Sequence, residues 1–154
     1  MMTEAPTNPT VPTVPAEIET RFGRFAVGAN DAIEFPLGLP GFEHCRHFVL
    51  VQSPDIAPFQ VLHAIEGPGA SFLVIDPRLV LPQYRSVLSQ TDLMRLGADE
   101  HSVLLWLAIV TLDQDERAFV NLRAPIVVNP ERMLGYQVMP HNSLYPLRHP
   151  LASE

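Results

Sequence analysis

The sequence predicts an all-β chain: a single antiparallel β-barrel-like domain with one short helix, preceded by a disordered N-terminal tail. Three observations predict it. Short apolar segments rich in valine, isoleucine and phenylalanine recur along the chain, and these residue types fit a pleated, half-buried surface. Proline, glycine and asparagine interrupt them roughly every 8–12 residues, the turn spacing of sandwiches and barrels. The chain has 154 residues, 47% of them hydrophobic, which suits one domain with a core that needs no covalent staple.

Residues 1–16 are read as the tail. Pro6, Pro9, Pro12 and Pro15 recur every third residue among threonines, a spacing that suits polyproline II and offers little to bury. A docking motif for a groove-type domain is the other reading of this segment. The barrel domain is expected over residues 17–154. Ile18, Phe22, Phe25 and Val27 mark a first segment broken at Gly23, as in a hairpin or bulge. Strands are then expected at 32–35, 47–52, 59–65, 71–76, 103–112, 118–121, 126–128 and 136–138, the long apolar 103–112 run buried on both faces. One helix is expected at 90–96. Ser89 can cap its free amides, Asp92 completes a capping box, and Gly97 supplies the left-handed stop. Such a short helix needs tertiary support, so Leu93 and Leu96 are expected to lid one end of the barrel.

Charge and composition restrict the partners. The net charge is −7, and the ten basic residues are all arginines, scattered singly from Arg21 to Arg148. A nucleic-acid binder needs a basic stripe that displaces counterions from phosphates, so direct nucleic-acid binding and docking on an anionic membrane are not expected. The negative charge either steers a basic protein partner or simply keeps the chain soluble. The longest apolar run, residues 103–110, is far short of the roughly 20 residues that span a bilayer. The first residues lack a secretion signal's pattern, and Cys45 is the single cysteine. A cytoplasmic, monomeric protein is the expectation.

Chemistry is hard to find in the sequence. The six histidines, including His44 and His47, show no HExxH or paired-ligand spacing and are expected on the surface. There is no GxSxG elbow. Gly67, Pro68 and Gly69 read as a hairpin turn, and the acidic residues at 113–116 as a solvated hairpin tip rather than a calcium loop. No catalytic residue, metal ligand or cofactor is expected.

Apolar residues in irregular places are more informative. Phe35, Leu37, Leu39 and Phe42 alternate through a Pro/Gly-rich loop, which either folds over the barrel core or waits as an apolar patch for another protein. Pro125 lacks an amide, so residues 123–129 are expected to form an edge strand or a strand beginning. An exposed edge there puts Ile126 and Asn129 where a partner adds a strand. The closing residues 142–151 mix Leu144, Tyr145, Leu147 and Leu151 with Arg148 and His149. Tyrosine and arginine are enriched at interface hot spots, so Tyr145, Arg148 and His149 are candidate partner-binding residues. The same residues can equally pin the C-terminal segment to the barrel.

Those segments resemble one family. FPLGLPGF at 35–42 is similar to the FPxGIPGF stretch of flagellar assembly factors, the FliW family. NLRAPIVVN at 121–129 looks like their NLxAPIVIN, GYQV at 135–138 their GxQV, and YPLRHPL at 145–151 their closing YxxRHPL. Asp76-Pro77 fits their usual strand-to-turn step. The longer Pro/Thr tail, the missing lysine and Leu39 in place of isoleucine depart from the pattern. The resemblance implies an antiparallel barrel-like fold without enzymatic activity and with two alternative partners. These are flagellin and the RNA-binding translational repressor CsrA, the carbon storage regulator. Family members are held by cytoplasmic flagellin in a chaperone-like complex. Once flagellin is exported, the freed factor antagonises the repressor and restores flagellin synthesis. A rival from another class is a split β-barrel that binds a small molecule such as flavin, which a yellow preparation would reveal.

Overall fold

Apolar residues at consecutive strand positions need cover on both faces of a sheet, because successive side chains point to opposite sides. In the computed structural model, which describes residues 13–28, 30–66, 70–140 and 143–151, that cover comes from closing the sheet and padding its outside. The strands are β1 (Glu17–Thr20), β2 (Gly23–Ala26), β3 (Ile33–Glu34), β4 (His47–Val51), β5 (Gln60–Ala64) and β6 (Ser71–Ile75), then β7 (Leu105–Leu112), β8 (Ala118–Val120), β9 (Ile126–Asn129), β10 (Leu134–Gln137) and β11 (His149–Pro150). Two short helices, α1 (Pro77–Val80) and α2 (Gln90–Arg95), lie between β6 and β7.

Strands β3 to β7 pair in sequence order, β10 joins β3, and β9 joins β10. The ring closes where β9 also pairs with β7, Leu105 opposite Val128 and Leu107 opposite Ile126. The result is a barrel of seven strands in the order β3, β4, β5, β6, β7, β9, β10. All ring pairings are antiparallel except β10 with β3, which is parallel. Strand β7 is long enough to serve two partners on one side: its start pairs with β9 and its end with β8, which in turn carries β11.

Phe35, Phe48, Leu62, Val74, Leu107, Ile126 and Val128 point inward and fill the barrel. The Pro/Gly loop after β3 closes this core. Phe35 and Leu39 are buried, and Phe42 meets Phe72 edge-on at 5.1 Å, so the loop belongs to the core and only Leu37 stands out to solvent. Two glycines make this packing possible. Gly38 holds φ at +65°, and a Cβ there would lie 2.6 Å from the Glu43 Cα. A Cβ on Gly135 would meet the Phe35 ring at 2.5 Å.

The outer face is padded in three places. The β1–β2 hairpin lays Ile18, Phe22 and Phe25 over Val49, Val51 and Val61. The segment around α1 and the end of the chain cover Ile75, Ala108, Val110 and Val120. Leu96, at the end of α2, packs on Val127 and Val138. Two expectations are corrected here. The capping box at Ser89 and Asp92 is present and Gly97 is left-handed, but the helix lies on the barrel wall, because Leu96 meets the outward side chains of β9 and β10. Strand β7 is double-faced only in its middle: Leu105 is 41% and Leu112 52% exposed at its ends.

Some segments were not foreseen as regular structure. Asp76-Pro77 starts α1, with the Asp76 side chain accepting from the Arg78 amide, and the last described residues form β11. The acidic tip between β7 and β8 is a solvated turn in which one Asp113 oxygen accepts from the amides of Asp115 and Arg117. The Gly67–Gly69 turn and most of the proline-rich tail, residues 1–12, lie outside the described residues. Val14 packs beside Ile18, and the Ala16 carbonyl accepts from the Val27 amide. No helix among the described residues is long and apolar enough to cross a membrane.

His47 overturns the expectation of surface histidines. It is buried, and its Nδ1 lies 2.8 Å from a Glu66 carboxylate oxygen. The other Glu66 oxygen accepts from the amides of Arg46 and His47. Burial pushes the Glu66 carboxyl up, but these bonds from His47 and Arg46 outweigh it and hold it below the ordinary carboxylate value.

Candidate partner-binding site

The residues that the sequence nominated fall into two groups with different fates. Ile126 and Asn129 start and end β9, which pairs with β10 on one side and β7 on the other, so the expected edge does not exist. Pro125 precedes the strand and removes no ladder bond. Ile126 points into the barrel and is fully buried. Asn129 is also buried, with its side-chain amide donating to the carbonyls of Leu96 (2.8 Å) and Gly97 (3.3 Å) while its oxygen accepts from the Glu131 amide. It fastens the end of α2 to the wall. At the other end of this segment the Asn121 side chain accepts from the amides of Arg123 and Ala124, shaping the turn that delivers the chain into β9.

Tyr145, Arg148 and His149 stay together as a strap along β8. The Tyr145 ring lies against Tyr84, centroids 4.5 Å apart, its hydroxyl accepts from the Arg85 amide, and its carbonyl accepts from the Arg123 guanidinium. Tyr84 in turn donates its hydroxyl to the Leu122 carbonyl at 2.8 Å, and burial, with Tyr145 alongside, pushes its phenol up to about 12. Arg148 is exposed and stacks over the Phe119 ring at 4.1 Å, while His149 pairs with Val120. The strap therefore both holds residues 145–150 against the barrel and shows an arginine to solvent.

Sequence reasoning missed the feature beside the strap. An open groove of about 1210 Å³ runs between the segment leading into α2 and the chain after β10. Tyr136 and Val138 lie in it with Tyr145, and Arg85 and Arg95 stand on its α2 side. Its apolar rim is unusually exposed: Leu144 is 96%, Val87 79% and Met139 66% accessible. Among the described residues the groove carries one carboxylate, Asp92, which accepts from the Ser89 amide in the capping box. Burial pushes the Tyr136 phenol up, with Arg95 close enough to pull it the other way and Glu34 adding to the rise. The available signal was an apolar residue inside each of three non-strand stretches: Val87, Met139 and Leu144. Only Leu144 stands out in the sequence itself, because Val87 is distant in sequence from the other two.

The FliW protein family matches residues 17–151 of this chain. The chain belongs to the FliW family. Among its relatives, the flagellar assembly factor FliW of Thermotoga sp. (strain RQ2) is 34% identical over 138 residues, spanning 88% of this chain and 93% of that protein. The flagellar assembly factor FliW of Natranaerobius thermophilus is 35% identical over 135 residues, spanning 86% and 89%. A crystal structure of the flagellar assembly factor FliW superposes with a TM-score of 0.79 at 31% identity, covering 90% of this chain and 98% of that one. FliW membership accounts for the strings at 35–42 and 121–129 as fold determinants: the first plugs the barrel, the second shapes β9 and anchors α2. A flagellar assembly role follows for the chain.

Proposed function

We propose that this chain works by partner exchange and without chemistry of its own. In the cytoplasm it binds flagellin; when flagellin leaves, it binds the CsrA-type translational repressor and relieves the block on flagellin synthesis. The observation that carries this reading is the FliW family match across residues 17–151. The groove supports it, because tyrosine, arginine and methionine around an apolar patch are the composition of protein-binding surfaces. Tyr145 belongs to both the groove lining and the strap, which supports reading the strap's exposed Arg148 and the neighbouring His149 as part of one binding surface.

The test is a pair of calorimetric titrations of the purified chain, against flagellin and against the repressor, followed by competition between them. Both proteins should bind, flagellin should displace the repressor, and translation of a repressor-controlled transcript should recover when the chain is added. A chain that binds neither protein overturns the reading. Arg148→Ala should weaken one of the two complexes by about 1 kcal/mol or more while leaving the melt nearly unchanged. Undiminished binding to both would remove Arg148 from the surface.

A further inference from the structure

The groove has a chemistry of its own within an acidic molecule. The chain carries a net charge of −7, yet the groove presents two guanidinium groups, Arg85 and Arg95. Among the described residues, neither arginine has a carboxylate within ion-pair distance, whereas Arg24, Arg78 and Arg117 do. Against these two cations the groove's lining holds, among the described residues, one carboxylate, Asp92, which accepts from the Ser89 amide in its helix cap, and Glu34 acts on Tyr136 from beside it. Beside the arginines the exposed Leu144, Val87 and Met139 frame an apolar channel over Tyr136. The volume of about 1210 Å³ exceeds the roughly 300–1,000 Å³ of small-molecule pockets, and the site is open along its length.

We propose that this groove receives an acidic amphipathic segment of a partner protein, its apolar side chains between Leu144, Val87 and Met139 and its carboxylates on Arg85 and Arg95. The inference rests on the partner-exchange reading and names the recognition chemistry of that surface. Charge complementarity favours this occupant over a basic one. A negative segment is repelled by most of the protein's surface and attracted at the groove, so the field sets register as well as attraction. A basic segment would be drawn to the acidic surface at large and meet like charge here. Bidentate arginine–carboxylate pairing beside apolar contacts suits a hot spot in which each part shields the other from water.

The experiment uses the full chain and a fluorescent synthetic peptide of alternating leucine, alanine and glutamate turns, with a lysine-for-glutamate counterpart. Fluorescence anisotropy should show the acidic peptide binding, more weakly as salt rises, and the basic peptide at least tenfold more weakly. Arg85→Glu with Arg95→Glu should reverse that preference. Leu144→Asp should cut acidic-peptide binding tenfold or more, and because Leu144 is 96% exposed this variant retains its fold, which a thermal melt checks. Equal binding of both peptides, or acidic-peptide binding unmoved by all three substitutions, overturns the groove assignment. The same variants are titrated against flagellin and the repressor. Wild-type binding that every variant retains sinks the groove and leaves partner exchange standing. Failure of the wild type to bind either protein sinks partner exchange, and the peptide titrations still decide the groove.

Discussion

Two flanks of the same barrel wall are finished in opposite ways. On one, β4 and β5 turn Val49, Val51 and Val61 outward, and the β1–β2 hairpin covers them with Ile18, Phe22 and Phe25 until little apolar surface is left. On the other, β9 and β10 turn Val127 and Tyr136 outward, but α2 spans only six residues and brings one fully buried side chain, Leu96, to the wall. The rest of that flank stays open as the groove. Both flanks turn apolar side chains outward, and the cover over them differs. A hairpin lays a broad face on the sheet, whereas a helix of under two turns covers a narrow strip. A chain that leaves apolar side chains as exposed as Leu144 and Val87 at one place has a surface suited to a partner.

The comparison can be broken from either side. On the closed flank, Ile18→Ala should cost about 3 kcal/mol, the range for truncating a buried isoleucine, measured as a lowered urea midpoint with an unchanged slope. A loss under about 1 kcal/mol would mean that the hairpin is loosely laid and the flanks are alike. On the open flank, Asn129→Ala should cost about 2 kcal/mol, since it removes the bonds to Leu96 and Gly97 and leaves the buried Leu96 carbonyl unpaired. Hydrogen exchange should then speed up in α2 well before the barrel amides. Uniform exchange would show that α2 is held by packing instead.

A third test concerns pH. The folded Glu66 carboxyl binds its proton less readily than the unfolded one, so its contribution is complete above the unfolded value, near 4.5, and is lost as pH falls through the folded value. Stability should therefore decline in acid. Glu66→Gln should cost about 1 kcal/mol near neutrality by removing charge assistance, and should flatten the acid limb. A variant with the same acid dependence as the parent would exclude Glu66 as its source. The smallest effect is expected at the groove: Leu144→Ser should change stability by under about 0.5 kcal/mol, because so exposed a side chain loses almost nothing on truncation. A larger loss in the denaturation curve would show that the rim is packed in solution and the open flank is not open.

Much of the fold was legible because it depends on local chemistry. Gly97 and the Ser89–Asp92 box delimit α2 within a few residues of sequence. The β-branched and aromatic residues at 47–52 and 59–65 mark β4 and β5 as strands, and the strings at 35–42 and 121–129 point to a FliW-type barrel. The candidate site was less legible. Tyr145 and Leu144 were noticed, but Ile126 and Asn129 were assigned to an edge that β7 occupies. Pro125 signals only that one amide is missing; whether a strand lies beyond it depends on chain closure 20 residues away, which no local pattern records.

By itself, then, the sequence determined the all-β class, the capped helix, the turns and the apolar strand pattern, since propensity, capping and periodicity act over a few neighbouring residues. Only the tertiary structure decided that β9 closes a ring with β7, that Phe35 fills the barrel beside Gly135, and that Asn129 carries α2. It alone brought Arg85 and Arg95 to the same groove as Met139 and Leu144. Those juxtapositions join residues from about 20 to 100 positions apart, and ring closure and side-chain packing select them together, after local preferences have had their say.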